Sequence, residues 1–170
     1  TSLSLSWTRN HNDAQYFGTF GDTVAGITRY TFAHLDQTTV GMTWRLDYTF
    51  TPTTTLQLYA APFITKRTYS RVRELSATPR AANFNARYQP VGDTAIANNP
   101  GGFNFKQFNS NAVFRWEYRP GSTLFLVWSH GRSDFTSLEG GRNYGGDIKD
   151  LFSLPVRNTF LVKLSYWLTR

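Results

Sequence analysis

The sequence predicts an all-β protein: an antiparallel, up-and-down transmembrane β-barrel of about eight strands. Apolar and polar residues alternate strictly in several runs, which is the pattern of strands with one apolar and one polar face. Tight proline turns alternate with two long connections, as in outer-membrane barrels, which have short periplasmic turns and longer extracellular loops. No apolar run approaches the ~18 residues of a membrane helix.

Composition narrows the class of protein further. The chain has 170 residues, a length that fits a single domain over residues 1–170. It contains no cysteine, which excludes disulfides and cysteine-based metal sites. Aromatic residues make up 16% of the chain, enough for the aromatic girdles of a membrane barrel. The net charge of +7 favours anionic partners, or simply a soluble surface. Because the chain starts at Thr1, we expect that a leader was removed or that it is a piece of a longer protein.

The strand over residues 40–50 shows the pattern most clearly. Its even-numbered residues are apolar or aromatic, and its odd-numbered residues are small, polar or charged. Its length matches the roughly 9–11 residues with which a tilted strand crosses a bilayer. Similar patterns predict the other strands at 2–9, 14–20, 26–35, 54–64, 107–118, 123–132 and 158–169. The chain turns at residues 10–13, near Asp36-Gln37, at 51–53 and at 119–122.

Two long loops are predicted, at about residues 65–106 and 133–157. The first carries six basic residues, which are Lys66, Arg67, Arg71, Arg73, Arg80 and Arg87. Loops of this length are usually functional or disordered. These basic side chains therefore bind lipopolysaccharide phosphates, fold into a pore, or are solvated.

An internal repeat relates two of the predicted hairpins. Trp44-Arg45-Leu46-Asp47-Tyr48 precedes a proline turn, and Phe114-Arg115-Trp116-Glu117-Tyr118 precedes a second one. A duplicated hairpin accounts for this echo, although amphipathic hairpins also resemble one another in general.

The polar strand faces predict the lining of a lumen. Charged residues alternate with apolar ones on the strands, and they are Arg45, Asp47, Arg115, Glu117 and Lys163. In a membrane barrel they form a cross-strand salt-bridge network or a constriction that selects solutes. In a soluble lipocalin-like or streptavidin-like barrel the same charges face water instead. An eight-stranded barrel holds only side chains or one small ligand, so conduction requires a larger parent barrel.

Few residues suggest catalysis. The three histidines, His11, His34 and His130, lack partners at metal-ligand spacing, so no metal or cofactor is expected. Ser129, His130 and Asp134 form the one cluster that an outer-membrane hydrolase would use. Adjacent strand residues point to opposite faces, so Ser129 and His130 should not meet. Nucleic-acid binding is not expected, because the aromatic residues do not lie among the loop arginines.

Several segments resemble a bacterial family of unknown function. These are residues 56–63, the run Arg115-Trp116-Glu117-Tyr118-Arg119-Pro120-Gly121-Ser122 continuing to Trp128, and the tail at 158–168. Members have an N-terminal domain resembling a carbohydrate-binding module, followed by a predicted outer-membrane barrel. The resemblance implies that this chain is the C-terminal part of a larger barrel, and it carries over no sugar-binding residues.

The expected function is that of an outer-membrane barrel segment that passes or binds a solute without catalysis. Expected partners are membrane lipid, lipopolysaccharide, a carbohydrate or other small solute, and the remainder of the larger barrel. The alternatives are an outer-membrane hydrolase, or a small structural or adhesive barrel that acts through its long loops.

Overall fold

A computed structural model of the chain describes residues 1–22, 27–92, 100–137 and 144–168. Seven strands lie in one antiparallel sheet: β1 (Ser2–Asp22), β2 (Ile27–Thr51), β3 (Thr54–Leu75), β4 (Tyr88–Pro90), β5 (Gly102–Arg119), β6 (Ser122–Ser137) and β7 (Arg157–Ser165). A 3-10 turn covers Phe84–Arg87 and a helix, α1, covers Tyr144–Ser153. The prediction of an all-β antiparallel fold is confirmed.

The strands follow the order β1-β2-β3-β5-β6-β7, and the short β4 pairs with β3 beside this path. The sheet is not closed, because β1 and β7 lie at its two edges. Each long strand is joined to the next along the chain by a hairpin or a longer connection, so the sheet is an up-and-down meander. Among the described residues, no helix is long and apolar enough to cross a membrane.

The prediction of eight strands is wrong, because two predicted pairs are continuous strands. β1 includes both 2–9 and 14–20, and β2, from Ile27 to Thr51, continues from the predicted strand at 26–35 through the one at 40–50. The turn predicted near Asp36-Gln37 does not exist, because Asp36 pairs with His11 on β1 and with Thr68 on β3. The turn predicted at residues 10–13 is a shift in register between Asn12 and Gln15. Bulges of this kind bend a strand without ending it.

The predicted loops are shorter than the sequence suggested. Residues 65–75 belong to β3 and residues 102–106 belong to β5. Lys66, Arg67, Arg71 and Arg73 therefore lie on a strand, while Arg80 lies in the connection and Arg87 in the 3-10 turn. In the second segment, β6 continues to Ser137 and α1 covers part of the rest.

The pairing of the strands produces two distinct faces that extend across the whole sheet. Trp44 lies opposite Leu3 and Ala60, whereas its neighbour Arg45 lies opposite Ser2 and Tyr59. Directly paired residues point to the same side of a sheet. We call the side of Trp44 the apolar face and the side of Arg45 the polar face.

The apolar face is largely uncovered. Eleven of its large side chains are 38–74% exposed, and they are Leu3, Leu5, Trp7, Tyr48, Phe50, Trp116, Leu126, Trp128, Phe160, Val162 and Leu164. Others on this face, such as Trp44 and Leu56, are partly covered, and Ile64 is buried. The buried residues Thr31, Ala33 and Leu35 lie on the opposite side of β2, the side of Arg45, nearer the long connections, and Val72 of β3 is buried at the same end. There the rings of Phe17 and Tyr69 pack edge to face, with centroids 5.0 Å apart.

The connections differ in length between the two ends of the sheet. Tight turns join β2 to β3 and β5 to β6 at one end. At the other end, β3 ends at Leu75 and β5 begins at Gly102, and β6 ends at Ser137 and β7 begins at Arg157, so these connections are longer. β1 begins and β7 ends toward the tight-turn end, since Ser2 pairs with Arg45 and Ser165 with Thr123.

Candidate functional site

The five charged residues predicted to line a lumen all lie on the polar face. Arg45 lies opposite Tyr59, with its guanidinium carbon 5.5 Å from the centre of the Tyr59 ring. Lys163 Nζ lies 5.9 Å from the centre of the Phe125 ring across β6 and β7. Asp47 lies exposed and opposite Gln57.

Arg115 and Glu117 form an ion pair along β5, with Arg115 Nη2 3.1 Å from Glu117 Oε2. Among the described residues it is the ion pair that joins two of the five predicted charges, and both partners lie on one strand. A salt-bridge network across neighbouring strands does not form between them.

Glu117 also holds the tight turn between β5 and β6. Its Oε1 accepts a hydrogen bond of 3.0 Å from the backbone N–H of Gly121. Gly121 has φ +75°, a left-handed conformation that glycine adopts without steric cost. Ser122 Oγ accepts a 3.0 Å hydrogen bond from the Trp167 backbone N–H, which brings the chain beyond β7 against the same turn. Glu117 therefore has a structural role at the tight-turn end.

The two hairpins of the sequence repeat place their charged residues at different distances from the tight turn. The last pairs before the turns are Thr49–Thr55, then Thr51–Thr54, in one hairpin. In the other they are Glu117–Thr123, then Arg119–Ser122. Measured from its turn, Arg115 therefore takes the position of Asp47, and Glu117 takes that of Thr49. The repeat places its arginines on the same face but at different heights.

A polar groove occupies the middle of the polar face. Its cavity measures about 410 Å³. The side chains of this face that border it are Tyr59, Asn109, Asn111, Ser129, Arg157 and Thr159. All of these except Arg157 are neutral donors and acceptors of hydrogen bonds. The alternation in the sequence predicts that Asn109 and Asn111 share one face. It does not predict the groove, because the groove forms only when β5 pairs with β3 and β6.

Five of the six predicted loop cations contact groups on the protein, and Arg87 does so within its own connection by donating to the backbone oxygens of Ala81 and Ala82. Lys66 Nζ lies 2.5 Å from Asp147 Oδ2 on α1, and Arg67 donates a 3.1 Å hydrogen bond to Gln37 Oε1. Arg71 Nη2 lies 3.1 Å from Asp13 Oδ1. Arg73 donates to the backbone oxygen of Asp13, and its guanidinium lies over the Tyr88 and Phe84 rings.

An ionic cluster fixes α1 against the sheet. The carboxylate of Asp147 is nearly buried between two lysines, Lys66 on β3 and Lys106 on β5, whose Nζ lies 3.8 Å from Asp147 Oδ1. Asn104 Nδ2 donates a 2.7 Å hydrogen bond to the same oxygen. Sequence reasoning missed this cluster, because its members are far apart in the chain and α1 lies in a segment rich in glycine.

A second buried carboxylate lies beside the long connection. Glu74 is 4% exposed and accepts hydrogen bonds from the Gly92 backbone N–H at 2.7 Å and from Arg29 Nη1 at 3.1 Å. Burial alone raises the pKa of the Glu74 carboxyl, but these donors outweigh burial and hold the pKa below its ordinary value. Glu74 ties the end of β3 to the start of β2 and to the connection after β4.

The predicted hydrolase residues do not form a catalytic arrangement. Ser129 pairs with Asn111 on the polar face, whereas His130 pairs with Ser110 on the apolar face. His130 Nδ1 lies 3.0 Å from Asn158 Oδ1, and His130 Nε2 accepts a 3.0 Å hydrogen bond from Arg132 Nε. Asp134 Oδ2 lies 3.9 Å from Lys106 Nζ. Within the described ranges, no group of acidic residues and histidines is arranged to hold a metal ion.

Fold and surface together define the class of protein. It is an all-β protein built on one antiparallel sheet, with an exposed apolar face and an opposite polar face. Residues 1–169 match a family described as a domain of unknown function, DUF5916, and the chain belongs to that family. No curated protein and no solved structure matches the chain.

Proposed function

We propose that the chain forms part of an outer-membrane β-barrel whose polar face lines a lumen that passes or binds a small polar solute. The observation that carries this proposal is the exposed apolar face, to which β1, β2, β5, β6 and β7 contribute exposed large side chains and β3 contributes partly covered ones. Monomeric soluble proteins rarely expose contiguous apolar surface of this kind, and large exposed patches mark contacts with a membrane or another protein.

The dimensions of the apolar face suit a bilayer. At about 3.3 Å per residue, the run from Val40 to Phe50 extends about 33 Å along β2. A strand tilt of about 45° reduces this to about 23 Å, close to the ~25 Å apolar band of membrane barrels. Tyr48 and Trp116 lie near its tight-turn end, and Trp7, which pairs with Val40, lies at the other end; Trp128, level with Leu46, lies between them. Aromatic residues at both ends are typical of interfacial girdles.

The two sheet edges support a larger parent barrel. Only closed barrels satisfy the backbone hydrogen-bonding groups of every strand inside a membrane. β1 and β7 form edges here, so strands from elsewhere in a longer protein complete the proposed barrel. The resemblance to a family with a predicted C-terminal barrel supports the same arrangement.

The polar face suits a small polar solute. Its central groove offers amide and hydroxyl groups, and its tight-turn end carries Arg45 and Asp47. The proposal is non-catalytic, because both ring nitrogens of His130 have structural partners. By analogy with outer-membrane barrels, the tight turns face the periplasm and the long connections face outward. Contact between the basic residues and lipopolysaccharide remains a prediction.

Site-directed spin labelling of the full-length protein in lipid vesicles tests the membrane face. The chain has no cysteine, so single cysteines are introduced as matched neighbours, Leu126→Cys with Phe125→Cys and Val162→Cys with Lys163→Cys. Labels at Leu126 and Val162 should collide preferentially with oxygen, which concentrates in lipid. Labels at Phe125 and Lys163 should collide with a water-soluble nickel complex. Water accessibility at Leu126 and Val162 would overturn the proposal.

Electrical recording tests the lumen. The full-length protein inserted into planar bilayers should give discrete conductance steps, and a mock preparation purified in parallel should give none. Absence of conductance combined with the expected labelling pattern would remove solute passage and favour a structural or adhesive barrel.

A further inference from the structure

We propose that a groove between α1 and the apolar face binds one acyl chain of a zwitterionic phospholipid. This inference rests on the proposed function and goes beyond general lipid contact. The groove has a volume of about 460 Å³. Its floor comes from β1, β2 and β3, with Leu5, Trp7, Val40, Met42, Pro62 and Ile64.

The wall of the groove comes from α1 and β5. Ile148 and Phe152 lie four residues apart and therefore share one side of the helix. The Phe152 ring lies 5.2 Å from the ring of Phe108, measured between centroids. Arg132 Nη1 donates a hydrogen bond to the backbone oxygen of Phe152, which fixes the end of the helix.

The other side of α1 explains why this wall stays in place. Asp147 and Leu151 are buried, and Asp147 forms ion pairs with Lys66 and Lys106. Ile148 and Phe152, one residue further on in each case, are half exposed at 49% and 50%. The helix is therefore fixed through one pair of side chains and presents an apolar pair beside the groove.

An acyl chain is the occupant that fits this lining. The side chains of the floor and wall are almost entirely apolar, so water in the groove gains few hydrogen bonds. Leu5 and Trp7 also belong to the exposed apolar face, so the groove is continuous with the surface proposed to contact lipid. Its volume falls in the range of about 300–1,000 Å³ that holds one small ligand.

The charges beside the groove favour a head group without net charge. Arg9, two residues beyond Trp7, lies 3.2 Å from Asp36. Lys66, two residues beyond Ile64, lies 2.5 Å from Asp147. Lys106, opposite Ile64, also has acid partners, whereas Arg132, opposite Phe108, contacts the Phe152 backbone oxygen and His130. Three of the four cations beside the groove are therefore matched by acids of the protein. A polyanionic glycolipid would compete with these acids, whereas a zwitterionic phosphate and amine can add to the existing pairs.

Native mass spectrometry of the full-length protein tests the groove. The protein is purified in mild detergent, stripped of lipid, and mixed with phosphatidylethanolamine vesicles before it is returned to detergent. Wild type should retain one phospholipid per chain at this site. Val40→Trp fills the groove floor and should reduce the retained fraction at least tenfold. Ile148→Ser removes part of the wall without crowding and should reduce it in the same direction.

Val162→Trp is the matched control, because it adds the same side chain to the same face on β7, away from the groove. It should retain lipid as wild type does. Equal retention by Val40→Trp, Ile148→Ser and wild type would overturn the proposal, and so would a wild type that retains nothing. Preferential retention of a polyanionic glycolipid from a mixed extract would also overturn it.

The two proposals fail in different ways. If the groove takes no lipid but the apolar face meets the bilayer, the labels at Leu126 and Val162 still report lipid. If the membrane proposal fails, those labels report water. Each result on the labels is independent of α1, because neither position borders the groove.

Discussion

Asp147 Oδ2 lies 2.5 Å from Lys66 Nζ, and this ion pair joins α1 to the centre of the sheet. Lys106 approaches the other carboxylate oxygen at 3.8 Å, so one acid on the helix matches two lysines on neighbouring strands. The side chains of all three residues are no more than 12% exposed. Because water reaches these side chains poorly, each charge is stabilised mainly by its partners, and the loss of one partner is costly.

Replacement of Asp147 by asparagine should release α1 from the sheet. The change removes the acid that contacts Lys66, while Lys106 keeps Asp134 and Asp150 as more exposed partners. Breaking a buried pair such as that of Lys66 costs about 3–5 kcal/mol. The sheet itself should remain folded, since its hydrogen-bond ladders do not depend on the helix. Hydrogen exchange should show faster exchange over residues 144–153 and unchanged exchange in β2 and β3.

Asp150→Asn is the control for this prediction. Asp150 lies 3.5 Å from Lys106, but its side chain is 64% exposed. Exposed pairs contribute about 0–1 kcal/mol, so exchange in α1 should change little. Equal protection of α1 in wild type and Asp147→Asn would contradict the role assigned to the cluster.

Glu74 should make the stability of the long-connection end dependent on pH. This residue lies beyond Ile64, where the apolar face gives way to polar residues, and so outside the segment proposed to cross the membrane. Its folded pKa is lower than its ordinary value, because the donors from Gly92 and Arg29 outweigh the effect of burial. The resulting stabilisation is complete above the unfolded pKa of about 4.3 and is lost as pH falls through the folded pKa.

Glu74→Gln removes this titration and should lower the free energy of unfolding by about 1–3 kcal/mol at neutral pH. Urea unfolding in detergent, recorded between pH 7 and pH 3, measures the difference between wild type and the variant. That difference should shrink as pH falls, because wild type loses the charge that the variant never had. A difference that stays constant with pH would show that the carboxylate charge contributes nothing.

Local patterns in the sequence predicted the faces of the sheet but missed where its strands end. Alternation around Trp44 and Arg45 requires only neighbouring residues, and the pairing of these residues follows it. Asp36 and Gln37 have the chemistry of a turn, yet both remain in β2 because partners on β1 and β3 pair with them. Such pairings join residues far apart in the chain and outweigh local propensity.

The candidate sites also include features that local alternation predicts and features that depend on contacts between distant residues. The polar side of Arg45, Asp47 and Lys163 follows from period-two alternation. The contacts of Asp147 with Lys66 and Lys106 do not, because they depend on the position of a short helix over two strands. The same holds for a bulge in β3 at Arg71, where the pairing with β2 shifts between His34–Ser70 and Phe32–Arg73. Arg71 has φ +50°, a left-handed conformation that arginine rarely adopts, so no local pattern predicts it.

Gly121→Ala should destabilise the hairpin between β5 and β6. A Cβ at this position would lie 3.1 Å from the Cβ and Cγ atoms of Trp167, and φ is +75°. Backbone strain alone costs on the order of 1 kcal/mol, and the contact with Trp167 adds to it. Thermal unfolding in detergent measures the change.

Gly101→Ala provides a matched comparison. Its φ of +74° imposes the same backbone strain, but among the described residues no atom beyond its chain neighbours lies within 4 Å of the added Cβ. Gly121→Ala should therefore lower the melting temperature more than Gly101→Ala. Equal effects would show that Trp167 moves away from the turn without cost.

Arg45 and Asp47 should influence the ion selectivity of the proposed lumen in opposite directions. Both lie on the polar face of β2, and fixed charges that line a narrow pore favour ions of the opposite sign. Arg45→Ser should therefore shift the reversal potential under a salt gradient toward cation preference, and Asp47→Ser should shift it toward anion preference. Recordings of the full-length protein in planar bilayers measure both shifts. The shifts should weaken as salt rises, because the Debye length falls from about 10 Å at 0.1 M to about 3 Å at 1 M.

Lys149→Ser, a change of charge on the exposed side of α1, should leave the reversal potential unchanged. Shifts of the same sign for Arg45→Ser and Asp47→Ser, or a shift for Lys149→Ser alone, would place the polar face outside the conducting path.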